Sequence, residues 1–239
     1  MQQLNNKSAL ILGIFIFLGL TSLGYFLGSS AIKFKLFERT VTVKGLAERE
    51  YPADIVLWPI QFTNANNDLT QLYLSLEKDS NHIVDFLREN GIQDDEITVS
   101  VPAVTDKLAQ QYGNNTGVEF RYTANQTVTV YSTNVDTVRA AIRKLAELGK
   151  KGIAFSGDDY RNITEYIFTK LNDVKPSMIE EATTKAREVA EKFATDSNSR
   201  LGKIKNAQQG QFTIEDRDKN TPYIKKVRVV STIEYYLSD

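Results

Sequence analysis

Residues 9–28, ALILGIFIFLGLTSLGYFLG, contain no charged side chain, and the uncharged window extends from Ser8 to Ile32. About 20 apolar residues rising 1.5 Å each match the roughly 30 Å hydrocarbon core of a bilayer. A helix apolar all round has no polar face to turn to water, so a membrane span fits better than the core helix of a soluble domain. Lys7 ahead of the run and Ser29-Ser30-Ala31 behind it also resemble a cleaved signal peptide. Length argues for retention, because a secretory apolar core is about 7–15 residues, and Tyr25 stands where an interfacial aromatic would. The chain is therefore read as a tail over 1–8, an anchor over 9–28, a connector over 29–39 and a folded body over 40–239.

Charge does not orient the span. Lys7 lies on one side and Lys33, Lys35 and Arg39 on the other, and long domains translocate largely regardless of flanking charge. Gly24 and Gly28 form a GxxxG pair of the kind that lets two spans approach closely, although glycine is common in spans in any case. The connector carries no Gly/Ser or Pro run, so the body follows closely on the membrane.

The folded body has enough apolar residues for a core, at 41 % hydrophobic over 239 residues. With 29 basic and 30 acidic residues the net charge is -1, which leaves no electrostatic footprint for nucleic acid. Cysteine is absent, removing thiolate nucleophiles, disulfides and cysteine-ligated zinc together. That absence is compatible with an oxidising compartment without demanding one.

Hydrophobic period then assigns the elements. Val41 and Val43 alternate with Thr42 and Lys44, Glu48-Arg49-Glu50 read as a charged hairpin tip, and residues 53–60 read as a returning strand apolar on both faces. Pro59 lacks a ladder donor and so predicts a bulge or an edge-facing position beside Trp58. Leu69, Leu72, Leu76, Ile83 and Leu87 share one side of a helix, capped by Asn67 or Asp68 and ending before Asn90-Gly91.

Residues 97–103 alternate as a strand, residues 106–117 form a polar loop with Gly113-Asn114-Asn115 at its tip, and residues 118–130 give the cleanest alternation. In that last segment Val118, Phe120, Tyr122, Ala124, Val128 and Val130 share one face. A second helix carries Val135, Val138, Ile142 and Leu145 and closes at Gly149, followed by strand candidates over 152–155 and 161–170.

A third helix places Pro176 in its first turn and spaces Ile179, Ala182, Ala186, Val189 and Phe193 by three or four along a mostly small packing face. Glu181 to Lys185 and Glu188 to Lys192 have the spacing of stabilising ion pairs. Residues 203–214 and 223–237 complete the strands. The order predicts an α+β fold: a mainly antiparallel sheet with about three helices on one face, preceded by the transmembrane helix.

Three long stretches resemble the SIMPL domain family: VTVKGLAEREYPADIVLWPI near the start, KPSMIEEATTKAREVAEKFATDSNSRLGKI through the third helix, and GQFTIEDRDKNTPYIKKVRVVSTIEYYL at the end. The resemblance covers about residues 40–239 and is nearest to the membrane-anchored subgroup with one amino-terminal span. It implies an exported α+β domain, assembled into large rings in some relatives, with suggested roles in envelope stress. It also favours a short cytoplasmic tail and an outward body, and it supplies no catalytic residues.

Candidates for chemistry are few. His82 is the sole histidine, so one chain offers no histidine dyad or multi-histidine metal site, and its place beside the apolar stripe suits a partly exposed surface residue. Asp216, Asp218 and Asn220 open like a calcium loop, but Thr221 stands where that loop needs Gly and Val227 where it needs Glu. A polar hairpin loop is the expectation there. Asp94-Asp95-Glu96 and Asp158-Asp159 would make paired carboxylates only if buried together, and adjacent acids mark solvated turns.

Ser156 has no base that sequence can place beside it, and no GxSxG, phosphate loop, HExxH or dinucleotide fingerprint occurs. No residue is therefore assigned a catalytic, cofactor-binding or metal-binding role. Two functions follow: a non-enzymatic anchored envelope protein of the inner membrane acting through self-association or partner contacts, with its body in the periplasm or outside, or a small-molecule-binding or hydrolytic domain with a pocket between helix and sheet. The second admits a ligand groove beside Trp58, which otherwise reads as a packing anchor.

Overall fold

Helix α1 (Asn6–Leu36) carries the uncharged run, and within it Leu10–Ser30 has a mean hydropathy of 2.3 with none of the window buried by protein. A computed structural model describes residues 6–36, 39–109, 119–155 and 163–238, with side chains of α1 described over 10–30. It is a helix long and apolar enough to cross a membrane, at the end that would suit either an anchor or a signal sequence.

Beyond α1 the fold is α+β, in two compact units that are each assembled from separated stretches of chain. The first contains residues 1–48, 176–212 and 228–239, and the second residues 49–175 and 213–227.

The second unit is built on β2 (Ile55–Asn66), an interior strand of a five-stranded sheet. Its neighbours are β5 (Tyr122–Ser132) on one side and the short β6 (Glu165–Ile167) on the other, while β3 (Ile97–Val99) and β4 (Ala103–Asp106) both pair with β5. All these ladders are antiparallel. Helix α2 (Leu69–Glu89) packs on β2 and β5 through Leu72, Leu76, Ile83, Phe86 and Leu87.

Asp68 is its N-cap, accepting from the Gln71 N–H at 3.0 Å, and such a cap contributes about 1 kcal/mol. The helix stops at Asn90, and Gly91 turns away with φ +86°, a conformation only glycine adopts without strain. Leu69, placed on the buried stripe by its spacing, is exposed at the first turn. Helix α3 (Val135–Lys144), capped by Asn134, and the single turn α4 (Ala146–Lys150) add Val138, Ala141 and Leu148 to the same core.

Four details differ from the sequence expectation. The first strand, β1 (Thr40–Pro52), runs straight through Glu48-Arg49-Glu50, so these residues are not a hairpin tip. Glu48 and Glu50 extend the wet face of the strand, where Glu50 reaches Arg217 at 3.4 Å, while Arg49 is exposed on the opposite side. Reversal comes at Pro52-Ala53-Asp54, where proline ends the ladder and Asp54 accepts from the Thr169 N–H at 2.8 Å and hydroxyl at 2.6 Å.

Strand β2 buries Val56, Trp58, Ile60 and Phe62, while Ile55, Leu57 and Pro59 are only half-buried, so its two faces are unequal. Pro59 causes no bulge, since the register with β5 runs unbroken through Pro59 opposite Thr129. The Thr63 N–H points to Ala154 on the side away from β5, and by strand alternation the missing donor of Pro59 faces that side too. There β6 reaches only as far as Leu57.

Residues 97–103 do not form one strand. Pro102 interrupts them, leaving β3 and β4 on either side of an exposed Val101 with their pairings to β5 offset by one residue. On β5 the buried face is Ala124, Gln126, Val128, Val130 and Ser132, and Phe120 is exposed outside the strand. Val118, the loop tip 113–115, Ser156 and residues 157–159 lie outside the described residues.

A four-stranded sheet holds β1, β9 (Ile224–Ser238) and β7 (Arg200–Gln209) in that order, with β8 (Thr213–Asp216) also paired with β9. Helix α5 (Leu171–Asp196) begins earlier than Pro176, which therefore sits inside it and removes a bond to the preceding turn.

Its buried seam is Met178, Ala182, Ala186, Ala190 and Ala194, at intervals of four. Val189 and Phe193, expected on the packing face, are 40 % and 57 % exposed. Gly45 explains the choice: a Cβ there would lie 1.8 Å from the Ala182 carbonyl oxygen, so only small side chains fit where helix and strand meet. Lys185 pairs with Glu181 at 2.6 Å as expected, whereas Lys192 turns to Asp196 at 2.8 Å rather than to Glu188.

Candidate functional site

The residues singled out for chemistry are mostly occupied in holding turns. Asp218 organises the loop between β8 and β9, accepting from the backbone N–H groups of Asn220 and Thr221 at 2.8 Å each, from the Thr221 hydroxyl and from Arg217 Nε at 3.1 Å. These bonds hold its carboxyl down at about 2, the Thr221 and Arg217 side chains contributing most. Asp216 is held by Lys225. This is a hairpin loop, closed by the Arg217 N–H on the Ile224 carbonyl at 2.9 Å, and its carboxylates face protein donors instead of a shared centre.

Asp94, Asp95 and Glu96 form an exposed 3-10 turn. Glu96 accepts from the Gln93 N–H at 2.9 Å, and Asp94 takes Arg88 Nε at 2.6 Å. Neither acid is brought to the other for proton transfer. His82 is half-buried on α2, with Nδ1 buried and without a hydrogen-bond partner among the described residues. Trp58 is 4 % exposed within the core around β2, and none of the described hollows is lined by it. Arg139 lies over the Tyr223 ring at 3.3 Å from its centroid, and Tyr166 meets the same ring edge-on. Burial raises the Tyr166 phenol, against the pull of Arg139, but this stack has no cavity beside it among those described.

What the second unit does offer is a cleft of about 310 Å³ between α2 and the β3–β5 side of its sheet, near the lower end of small-molecule sites. Helix α2 supplies Tyr73, Leu76, Glu77, Ser80 and Asn81, residues spaced so that they share one helical flank. Val99, Pro102 and Gln126 close the other wall. The same Pro102 that splits β3 from β4 thus opens the wall into which this cleft is set.

Gln126 is the informative member. It is only 8 % exposed, in a position between Ala124 and Val128 that the alternation of β5 reserves for the core. Its Nε2 donates to the Ser100 carbonyl at 2.8 Å. A carbonyl only accepts, which fixes the orientation of the amide. Oε1 is then buried with no donor among the described residues, and a buried acceptor left unmade costs about 1–3 kcal/mol. Sequence reasoning passed over Gln126 by reading the apolar face across it. The signal available was a lone amide interrupting an otherwise apolar register.

Two further hollows lie on the first unit. One of about 380 Å³ is lined by Thr183, Arg187, Glu191, Leu201, Lys203 and Tyr235 among others, where the β7–β9 register shifts and Arg187 Nε meets Glu191 at 2.9 Å. Arg187 is thereby already neutralised. The other, about 280 Å³, is a shallow apolar patch around Val189 and Phe193, rimmed by Glu188, Lys192 and Asp196.

Residues 41–231 match one family model, SIMPL, described as protein of unknown function (DUF541). The match runs across both units, from β1 into β9. No curated protein matches the chain.

Proposed function

The chain belongs to the SIMPL family, and from that premise we propose a membrane-tethered binding protein of the cell envelope, held in the inner membrane by α1 with its folded body on the periplasmic or outer side. The observation that carries this reading is the helix Leu10–Ser30, uncharged, strongly apolar and unburied by the rest of the chain, followed closely by the folded body. A segment so apolar left in water would strongly favour aggregation, and a bilayer removes that cost. Self-association or partner contact is the mode of action this reading favours, and the exposed Val189 and Phe193 support it. Carbonate extraction of membranes, with amino-terminal sequencing, tests the tether: the expected product is pelleted and uncleaved. A protein released by carbonate, or beginning near residue 32, overturns it. A periplasm-active reporter fused after Asp239 tests the side.

A second reading, ligand binding, is favoured by the cleft of the second unit, where Tyr73, Glu77 and Asn81 stand beside the apolar wall of Leu76, Val99 and Pro102. It is compatible with the first, since a tethered body can present such a cleft to the envelope.

A further inference from the structure

We propose that the hollow between α5 and the bulged part of β7 binds a small molecule carrying an oxyanion on a short apolar body, the oxyanion taking hydrogens from the Tyr235 hydroxyl and the Lys203 ammonium. The site lies wholly on the first unit. It therefore stands or falls independently of the membrane tether and of the cleft on the second unit.

Three features select that chemistry. First, Tyr235 is 4 % exposed, clustered with Val43, Ala186, Ala190 and Ile233, and yet it lines the hollow. Its hydroxyl makes no hydrogen bond with a described residue, and it is not one of the buried polar atoms left without a partner, which are His82 Nδ1, Thr123 Oγ1 and Gln126 Oε1. The hydroxyl is thus open to solvent, and the hollow is where it opens. Burial raises the Tyr235 phenol, against the pull of Arg187, so the hydroxyl is protonated at neutral pH and brings a hydrogen.

Second, the charges lining the hollow are unequal. Arg187 Nε is held by Glu191 at 2.9 Å, which cancels one charge of each sign and leaves both Nη nitrogens without a partner among the described residues. Lys203 makes no ion pair among the described residues. The excess is one positive charge, and the local field favours an anion.

Third, β7 supplies an apolar wall. Regular alternation would put Leu201 and Lys203 on one face and Gly202 and Ile204 on the other, but the register shifts on either side of Ile204 break that alternation, and all four line the hollow. Leu201 and Ile204 suit a short alkyl body, in a space of about 380 Å³ that lies within the range of small-molecule sites. An alcohol would satisfy the first and third features but not the second. Carboxylates and phosphate monoesters share the oxyanion, and separate probes distinguish them.

The full-length protein in detergent, with carbon-13 in its tyrosine rings, is titrated at constant ionic strength with sodium n-butyrate, n-butyl phosphate, n-butanol and n-butylammonium chloride. Tyr235→Phe identifies the Tyr235 resonances by their loss. Saturable shifts are expected with butyrate or butyl phosphate, at least about tenfold tighter than with butanol, because hydrogen bonds to charged groups exceed neutral ones by about that factor. The tighter of the two names the oxyanion. Lys203→Gln, at an exposed position, should weaken the anion about threefold or more and leave butanol unchanged. Glu191→Gln should tighten the anion, because a negative charge leaves the site and Arg187 is released. Tyr235→Phe keeps the ring in the core and should weaken the anion, read from α5 backbone amides in nitrogen-15-labelled protein. If that variant does not fold, Lys203→Gln and Glu191→Gln carry the test. Equal binding of both anions and butanol overturns the oxyanion assignment. Tighter binding of butylammonium overturns it in favour of Glu191. No shift with any probe leaves only water on Tyr235 and overturns the site as a whole.

Discussion

Gly45 of β1 faces Ala182 of α5 so closely that a methyl group built on the glycine would stand 1.8 Å from the Ala182 carbonyl oxygen and 2.5 Å from the Ala186 nitrogen. Both obstacles are backbone atoms of a helix, which cannot swing aside as a side chain would. Gly45→Ala must therefore push the helix from the strand, and the expected loss lies at or beyond the top of the about 1–3 kcal/mol typical of overpacking. Chemical denaturation of the variant checks this. A midpoint equal to that of the parent protein would show that the close approach is absent.

The same contact separates the two candidate stripes of α5. Ala186 and Ala190 are fully buried beside Val43, Ile233 and Tyr235, whereas Phe193 is more than half exposed. Ala186→Leu should cost about 1–3 kcal/mol. Phe193→Glu should stay within about 0.5 kcal/mol of the parent, as surface changes do, and should weaken self-association in a sedimentation experiment if this patch joins copies. Reversed stabilities, with Phe193→Glu the more damaging, would show that the packing face runs on through Phe193 as the spacing alone suggests.

Periodicity made the elements legible but not their partners. The helices α2 and α3 and the strands β5 and β9 stand where the apolar spacing places them, because one side of each is buried and the period is visible. On α5 the stripe read from spacing is right at Ala182 and Ala186, which are buried, and wrong where it continues through Val189 and Phe193 instead of Ala190 and Ala194. Only Gly45, far away in sequence, decides for the alanines. Glu48-Arg49-Glu50 misled for a related reason, since charge marks a wet strand face as readily as a turn, and the turn belongs to Pro52 and Asp54. The cleft was the least legible feature. It depends on Pro102 breaking a strand and on a glutamine in a core register, and neither resembles a chemical motif.

Acid should weaken the loop between β8 and β9. Asp218 has its folded-state carboxyl at about 2, below the ordinary value near 3.9 expected once unfolded. A depressed carboxyl stabilises the fold wherever it is ionised in both states, so its contribution is complete above about pH 4 and is lost as pH falls through about 2. Asp218→Asn removes the ionisation and two charge-assisted acceptors. The stability gap between parent and variant should then be widest near neutrality and narrow toward pH 2. A carbon-13 titration of the Asp218 carboxyl gives the direct check, with a midpoint near 2 expected and one near 4 contradicting the hydrogen-bond account.

Asp54 and Thr169 make the corresponding clamp between the β1–β2 turn and the segment entering α5. Burial alone would raise the Asp54 carboxyl, but the hydroxyl and N–H of Thr169 outweigh it and the net shift is downward, aided by Lys170. Thr169→Val removes the 2.6 Å hydroxyl bond and keeps the backbone donor, so it should cost about 1 kcal/mol once solvent screening at this largely open site is allowed for. Asp54→Ala removes both bonds and frees the turn, and should cost more. Because the two changes act on one interaction, the double variant should be no worse than Asp54→Ala by more than a few tenths of a kcal/mol. The Asp54 contribution should also fade as pH falls through its lowered carboxyl, leaving parent and Asp54→Ala closer in stability under acid conditions. Strict additivity of the two single variants in a denaturation cycle would mean that the residues act separately, and the clamp would have to be abandoned.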